Sequence, residues 1–177
     1  MGKKRWIFAL LCVFICTSCS RTLHDTEVRK VFDEHYSELG ELKDMIISET
    51  DILAIGYDNV GDFWLDQGRW TTHKPPYTSY TEDEMLHLVG LAQERYHKYL
   101  QLIESVNGYR ITKSISNKRI SIHLSRVGNV SSGQTVNIVF LLDAPALLVN
   151  DTEKNANDNS RVWYSRLEGN WYIEREK

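Results

Sequence analysis

Beyond residue 19 the chain has no cysteine: all three, Cys12, Cys16 and Cys19, fall in its first nineteen residues. That excludes a disulfide framework or a cysteine-ligated zinc site in the body of the protein. Proline is scarce at three residues and glycine modest at ten, so collagen-like repeats and proline-rich linkers are excluded too. No apolar run reaches the roughly 20 residues a membrane-spanning helix requires. Basic runs are equally short; the longest after residue 18 is Lys118-Arg119. The sequence contains no G-x-S-x-G, no Walker-type glycine loop and no H-E-x-x-H, so no motif announces a nucleophile, a cofactor or a metal.

What remains is 177 residues, 42% apolar and 25% charged, a composition that fits one globular domain able to bury a real core. The first segment reads as an address. Lys3, Lys4 and Arg5 form a positive start, Trp6 to Cys16 form an apolar run of eleven residues, and Thr17-Ser18-Cys19 follow. This is the layout of a secretory signal peptide. It resembles the bacterial lipoprotein signal, in which an apolar residue and two small residues precede a cysteine, although Cys16 stands where that family usually has Leu, Val or Ile. The resemblance implies cleavage after Ser18 and a diacylglyceryl group, with palmitate-type acylation, on Cys19. Ser20 rather than Asp after the cysteine implies sorting to the outer membrane, facing the periplasm. Two or three acyl chains anchor a protein stably where one does not.

The resulting division is a signal peptide at residues 1–18, a lipidated tether at 19–24 and a single domain at 25–177. Loss of the leader leaves 18 Lys+Arg against 24 Asp+Glu, a formal −6. That balance opposes long-range attraction to nucleic acid or anionic lipid. The expected contact with the membrane is therefore through the lipid on Cys19.

Apolar residues at helical spacing (Val28, Val31, Phe32, Tyr36, Leu39, Leu42, Ile46) predict an amphipathic helix from Asp25 to about Glu49, capped by Asp25 or Thr26. Residues 81–106 predict a second, with a Thr81/Glu84 capping box and a stop at Asn107-Gly108. Ile52 to Tyr57 has strand character, and 58–80 reads as a long loop. After Gly108 the period changes to two: strands are expected around Tyr109–Ile115 and Ile120–Leu124, and Val136–Leu142 is apolar enough for a central strand. Gly128-Asn129 and Ser131–Gly133 mark a hairpin loop, and the Asn/Asp-rich stretch 150–160 a further loop. The last hairpin is expected to turn through Leu167-Glu168-Gly169, with Gly169 left-handed and Arg166 opposite Asn170. That places Trp163, Ser165, Trp171 and Ile173 on one face and Tyr164, Arg166, Tyr172 and Glu174 on the other. The predicted class is α+β, two amphipathic helices packed on an antiparallel sheet that ends in a C-terminal β-hairpin. This order is similar to small cystatin-like or NTF2-like lipoprotein domains.

Several constellations are candidates for chemistry. Glu84-x-x-His87 and Glu94-x-x-His97 share the i, i+3 spacing of di-iron half-sites. They stand ten residues apart on one predicted helix, about 15 Å at 1.5 Å per residue, too far to share a metal. Asp58, Asp62 and Asp66 lack calcium-loop spacing, so no metal site is expected. His73 and His123 have no partner identifiable from sequence, and the phase of His123 points to solvent or to the second face of the sheet. The aromatic segment Phe63, Trp64, Trp70, Tyr77 and Tyr80 is the strongest candidate. As core cover it would bury its rings; as a site it would offer a rim of Trp64, Trp70, Tyr77 and Tyr80 for a peptide, a glycan or another envelope protein. The expected function is thus a non-catalytic, lipid-anchored binding module. The alternatives are an envelope hydrolase and a purely structural envelope protein.

Overall fold

The computed structural model describes residues 23–72, 77–127, 134–150, 152 and 161–177. Cys19, Ser18, most of the tether, His73 and the residue 128–133 loop lie outside that set. The described residues form an α+β fold with four helices on one side of an eleven-stranded, mostly antiparallel open sheet.

The first predicted helix is two helices, α1 (Asp25–Glu34) and α2 (Tyr36–Ser48), bent at His35, whose φ/ψ of −126°/29° leaves the helical region. Val28, Phe32, Leu39, Leu42 and Ile46 are buried as the spacing predicts. The bend follows from what each half covers. From α1, Phe32 packs edge-on to Trp171 near the C-terminal hairpin, while α2 lies over the strand that begins at Arg110. One straight rod cannot follow a twisted sheet over both. The N-cap is His24, not Asp25 or Thr26; its N–H donates to Glu27 Oε2 at 2.8 Å, which frees Asp25 to turn inward.

The second predicted helix is likewise two, α3 (Glu82–Val89) and α4 (Gln93–Ser105). The Thr81/Glu84 capping box is present, with the Glu84 N–H donating to Thr81 Oγ1 at 3.3 Å and the Thr81 N–H to Glu84 Oε2 at 2.7 Å. Gly90 interrupts the run. At φ 70° it adopts the left-handed conformation that ends helices, the Leu91 N–H donates back to Leu86 O, and the Leu91 side chain is buried. The stop at residues 107–108 holds: Asn107 has φ 54°, and the Gly108 N–H donates to Ile103 O at 2.8 Å.

The strands are β1 (Ala54–Gly56), β2 (Asn59–Val60), β3 (Phe63–Asp66), β4 (Arg69–Thr72), β5 (Ser79–Tyr80), β6 (Arg110–Lys113), β7 (Arg119–Val127), β8 (Gln134–Leu141), β9 (Leu148–Val149), β10 (Val162–Arg166) and β11 (Trp171–Glu176). Their order is β5-β4-β3-β2-β1-β6-β7-β8-β11-β10-β9, with only β9 parallel to its neighbour. The reading of 58–80 as a loop is corrected: most of it is a meander that widens the sheet. One of its two-residue turns is Gln67-Gly68, both at positive φ (47° and 79°), joining paired Asp66 and Arg69. Such a turn normally carries Asn-Gly or Asp-Gly; Gln in place of Asn hid it. The central-strand reading of 136–142 holds for β8, where Val136, Asn137, Ile138 and Val139 are all buried.

The last hairpin keeps its predicted faces in a different register. Arg166 pairs with Tyr172, not Asn170, and Ser165 pairs with Ile173. A shift of two residues preserves the side-chain alternation, and Gly169 is left-handed at φ 56° as expected. The loop is longer because Leu167, half-buried against the core, is kept in place by its N–H bond to Trp171 O.

A buried clasp joins the two ends of the domain. Arg175 on β11, 2% exposed, donates to Asp25 Oδ1 from Nη2 at 3.0 Å and from Nε at 3.2 Å. Its Nε also donates to Thr152 Oγ1 at 2.8 Å, while the Thr152 N–H donates to Asp25 Oδ2 at 2.9 Å. Breaking one side of a buried ion pair strands the other charge, at about 3–5 kcal/mol. Arg175→Ala should therefore lower the stability measured by urea unfolding by that amount. A loss under about 1 kcal/mol, the scale of an exposed pair, would show that the clasp does not hold the termini.

Candidate functional site

Strand alternation divides the predicted aromatic rim. Trp70 is buried at 3% exposure on the helix-covered face, opposite Leu65 and Tyr80. Trp64, one position out of phase, lies half-buried on the other face. Tyr80 is half-buried and edge-on to Phe63 at 5.5 Å, and Tyr77 is exposed. The four rings therefore do not border one concavity. Tyr80 lines an open recess of about 440 Å³ with Asp83, Glu84, His87 and Leu88.

Trp64 belongs to a different assembly, on the face away from the helices. There the strand register aligns one residue from each neighbouring strand: Gly56, Arg110, His123, Asn137, Glu174 and Tyr164. Neighbours in such a row stand about 4.8 Å apart, close enough for each side chain to meet the next. At one end is a buried ion pair. Glu174 has no exposed surface, and Arg119 Nη2 lies 2.7 Å from each of its carboxylate oxygens. Asn137 Nδ2 donates to Glu174 Oε1 at 2.8 Å, and Arg119 reaches Tyr164 Oη at 3.2 Å and Ser121 Oγ at 3.1 Å. Burial and the Glu174 charge push the Tyr164 phenol up to about 12. Beside this network Val139, Leu141, Tyr172 and Tyr164 form a small apolar cluster.

In the middle of the row His123 Nε2 is 3.0 Å from Thr112 Oγ1. Burial, then the charges of Arg110 and Arg119, lower its pKa to about 4 against a weaker opposing effect of Asn137. The ring is thus neutral at physiological pH, and its phase prediction holds in the second of its two forms. At the other end the Arg110 guanidinium lies 5.7 Å from the Trp64 ring centre and 5.6 Å from that of Tyr109, and Tyr109 in turn contacts the His123 ring at 5.8 Å. Arg110 Nε is buried without a hydrogen-bond partner. Among the described residues no carboxylate pairs with this cation.

Chemically the face offers a cation beside aromatic rings, a neutral imidazole and a buried ion pair in which Glu174 Oε2 and the neighbouring Asn137 Oδ1 accept no hydrogen bond. A general base works best with a pKa near the operating pH. Two neighbouring arginines instead disfavour the imidazolium that proton transfer would create on His123. Recognition suits this arrangement better than proton transfer.

The remaining candidates stay apart. Glu84, His87, Glu94 and His97 are exposed, and His97 Nε2 lies 3.6 Å from Glu82. Among the described residues no three His, Cys, Asp or Glu side chains cluster as metal ligands, and no helix is long and apolar enough to cross a membrane. Sequence reasoning reached Trp64 and His123 but missed Tyr109, Arg110, Arg119, Asn137 and Glu174. Period-two alternation shows which residues share a face; it does not show that a polar face is buried. No protein-family model matches the chain, and neither curated proteins nor solved structures give a match.

The two tryptophans should now behave differently. Trp70→Ala should cost about 3–5 kcal/mol in chemical denaturation, as a core deletion does. Trp64→Ala should cost about 1 kcal/mol, the scale of an exposed cation–π contact. Equal losses would contradict the assignment of the two rings to opposite faces.

Proposed function

We propose that the chain is a lipid-anchored lipoprotein of a bacterial cell envelope, sorted to the outer membrane, whose domain is a non-catalytic binding module. The Lys3–Cys19 leader supports the anchor. The tether is short: α1 begins six residues after Cys19, so a lipid there would hold the domain within about 20 Å of the membrane surface at full extension. The observation that carries the binding role is Arg110, framed by Trp64 and Tyr109 with no carboxylate partner among the described residues. A purely structural protein gains little from an unpaired cation on its sheet. The hydrolase alternative is weakened by the low basicity of His123. The partner class this reading favours is an envelope peptide, protein or glycan presented close to the membrane.

Anchoring is tested by metabolic labelling with a radioactive fatty acid followed by membrane fractionation. The wild-type protein should take up label and sediment with outer membranes, and Cys19→Ala should do neither. A wild-type protein that incorporates no label would end the lipoprotein reading. For the binding role, an envelope component should co-purify with the wild type and be lost in Trp64→Ala while melting is little changed. Retention of every such component by Trp64→Ala would remove the helix-free face from the proposal.

A further inference from the structure

We infer that Arg110 is the anchor point for a carboxylate group on the ligand; this rests on the reading of the helix-free face as the binding surface and names the group recognised there.

The first argument is the pattern of pairing. On the helix-covered face the buried cations are engaged, Arg175 with Asp25 and the Lys113 ammonium with the Glu49 carbonyl, and on the face of Arg110 itself Arg119 is engaged with Glu174. Arg110 alone in this group meets only aromatic rings. In a chain with more acidic than basic residues, a partner carboxylate is the common solution, and the described residues do not supply one.

The second argument is preorganisation. A free arginine side chain loses about 2 kcal/mol of rotamer entropy when it is fixed. Trp64 and Tyr109 already restrain this one, and contact through their π faces leaves the guanidinium edge free to donate. Because Nε is buried, the outward edge is the pair of terminal nitrogens. Two N–H donors set side by side match the two oxygens of a carboxylate.

The third argument is space. Gly56 pairs with Arg110 across the sheet, and a Cβ there would sit 2.7 Å from Tyr109 O and 2.9 Å from Arg110 Cβ. Two strands separate Trp64 from Arg110: β1 carries no side chain beside Arg110, and on β2 Asn59, opposite Trp64, is buried with its amide donating to Gly61 O and Phe63 O, so neither places a free polar group against the guanidinium. The charge of the ligand follows as well. One cation without a carboxylate partner among the described residues, on a domain (25–177) of formal charge −7 with the Glu174 carboxylate in the same row, favours a monoanion over a phosphate dianion. The rings on either side favour a carboxylate borne on an apolar or peptidic body, such as a free peptide C-terminus or a small organic acid.

The test is calorimetric titration of the full acylated protein in neutral detergent. The probes are propionate, N-acetyl-alanyl-alanine, the same dipeptide as its amide, and inorganic phosphate. The dipeptide acid should bind saturably, with its amide and the Arg110→Gln variant each at least ~10-fold weaker, the effect of losing one charge-assisted hydrogen-bonded pair. Arg110→Lys, which keeps the charge and loses the fork, should fall between them. Propionate binding as well as the dipeptide would identify small acids as the source; weaker propionate would identify a peptide terminus; both support the site. Equal affinity for acid and amide, unchanged affinity in Arg110→Gln, tighter binding of phosphate, or no saturation by either carboxylate at about 10 mM would each overturn it. Should carboxylates fail while an envelope component still depends on Trp64, the carboxylate assignment falls and the binding module stands.

Discussion

Glu174 carries a carboxylate with no exposed surface at the middle of β11, on the face of the sheet that no described helix covers. A buried charge is costly unless it is paired and hydrogen-bonded, and much of that face is arranged to meet this demand. Arg119 comes from β7, two strands away across β8, and Asn137 comes from the strand between them. With Arg119 committed to Glu174, its charge still reaches His123 but its donors are used. Arg110 is left as the cation on this face with no acceptor among the described residues. The candidate site is thus what remains after the buried carboxylate has taken Arg119 as its ion-pair partner.

β11 also shows how the two faces are coupled. Glu174 and the next residue, Arg175, point to opposite sides, and each anchors a buried ion pair there. On the helix side Arg175 fixes the start of α1, where the tether enters. On the open side Glu174 fixes the polar row. A strand lying between β8 and β10 therefore connects the proposed point of membrane attachment with the surface proposed to bind.

The fold was largely legible because its dominant forces are periodic. The apolar spacings of α1 to α4, the Thr81/Glu84 box, the buried run of β8 and the left-handed Gly169 are local patterns. Where the reading failed, the deciding term was not local. The bend at His35 answers to the twist of the sheet, and the Gln67-Gly68 turn lacks the usual residue. In the last hairpin, slipping the register by two leaves every face unchanged, so the alternation of Trp163, Trp171 and Ile173 could not choose between registers. The site was harder still. Arg110, Asn137 and Glu174 come from three strands up to 64 residues apart in the chain, and only the ladder register brings them into one row. Trp64 and Trp70 looked equivalent because both sit in one aromatic stretch; the pleat separates them.

The central claim is that this row is a partly buried, cation-flanked surface rather than an ordinary solvated sheet face. The protonation of His123 reports on it directly. With a folded pKa near 4 against about 6.5 in the unfolded chain, the folded state binds fewer protons between those values. The histidine therefore contributes stability that is fully present above about pH 6.5 and is lost as the pH falls toward 4. The measurement is an NMR titration of the His123 ring nitrogens in the wild-type protein and in Arg110→Gln. The account predicts a neutral ring down to about pH 4 and an upward shift when the Arg110 charge is removed. A ring that titrates near 6.5 and ignores Arg110 would contradict it.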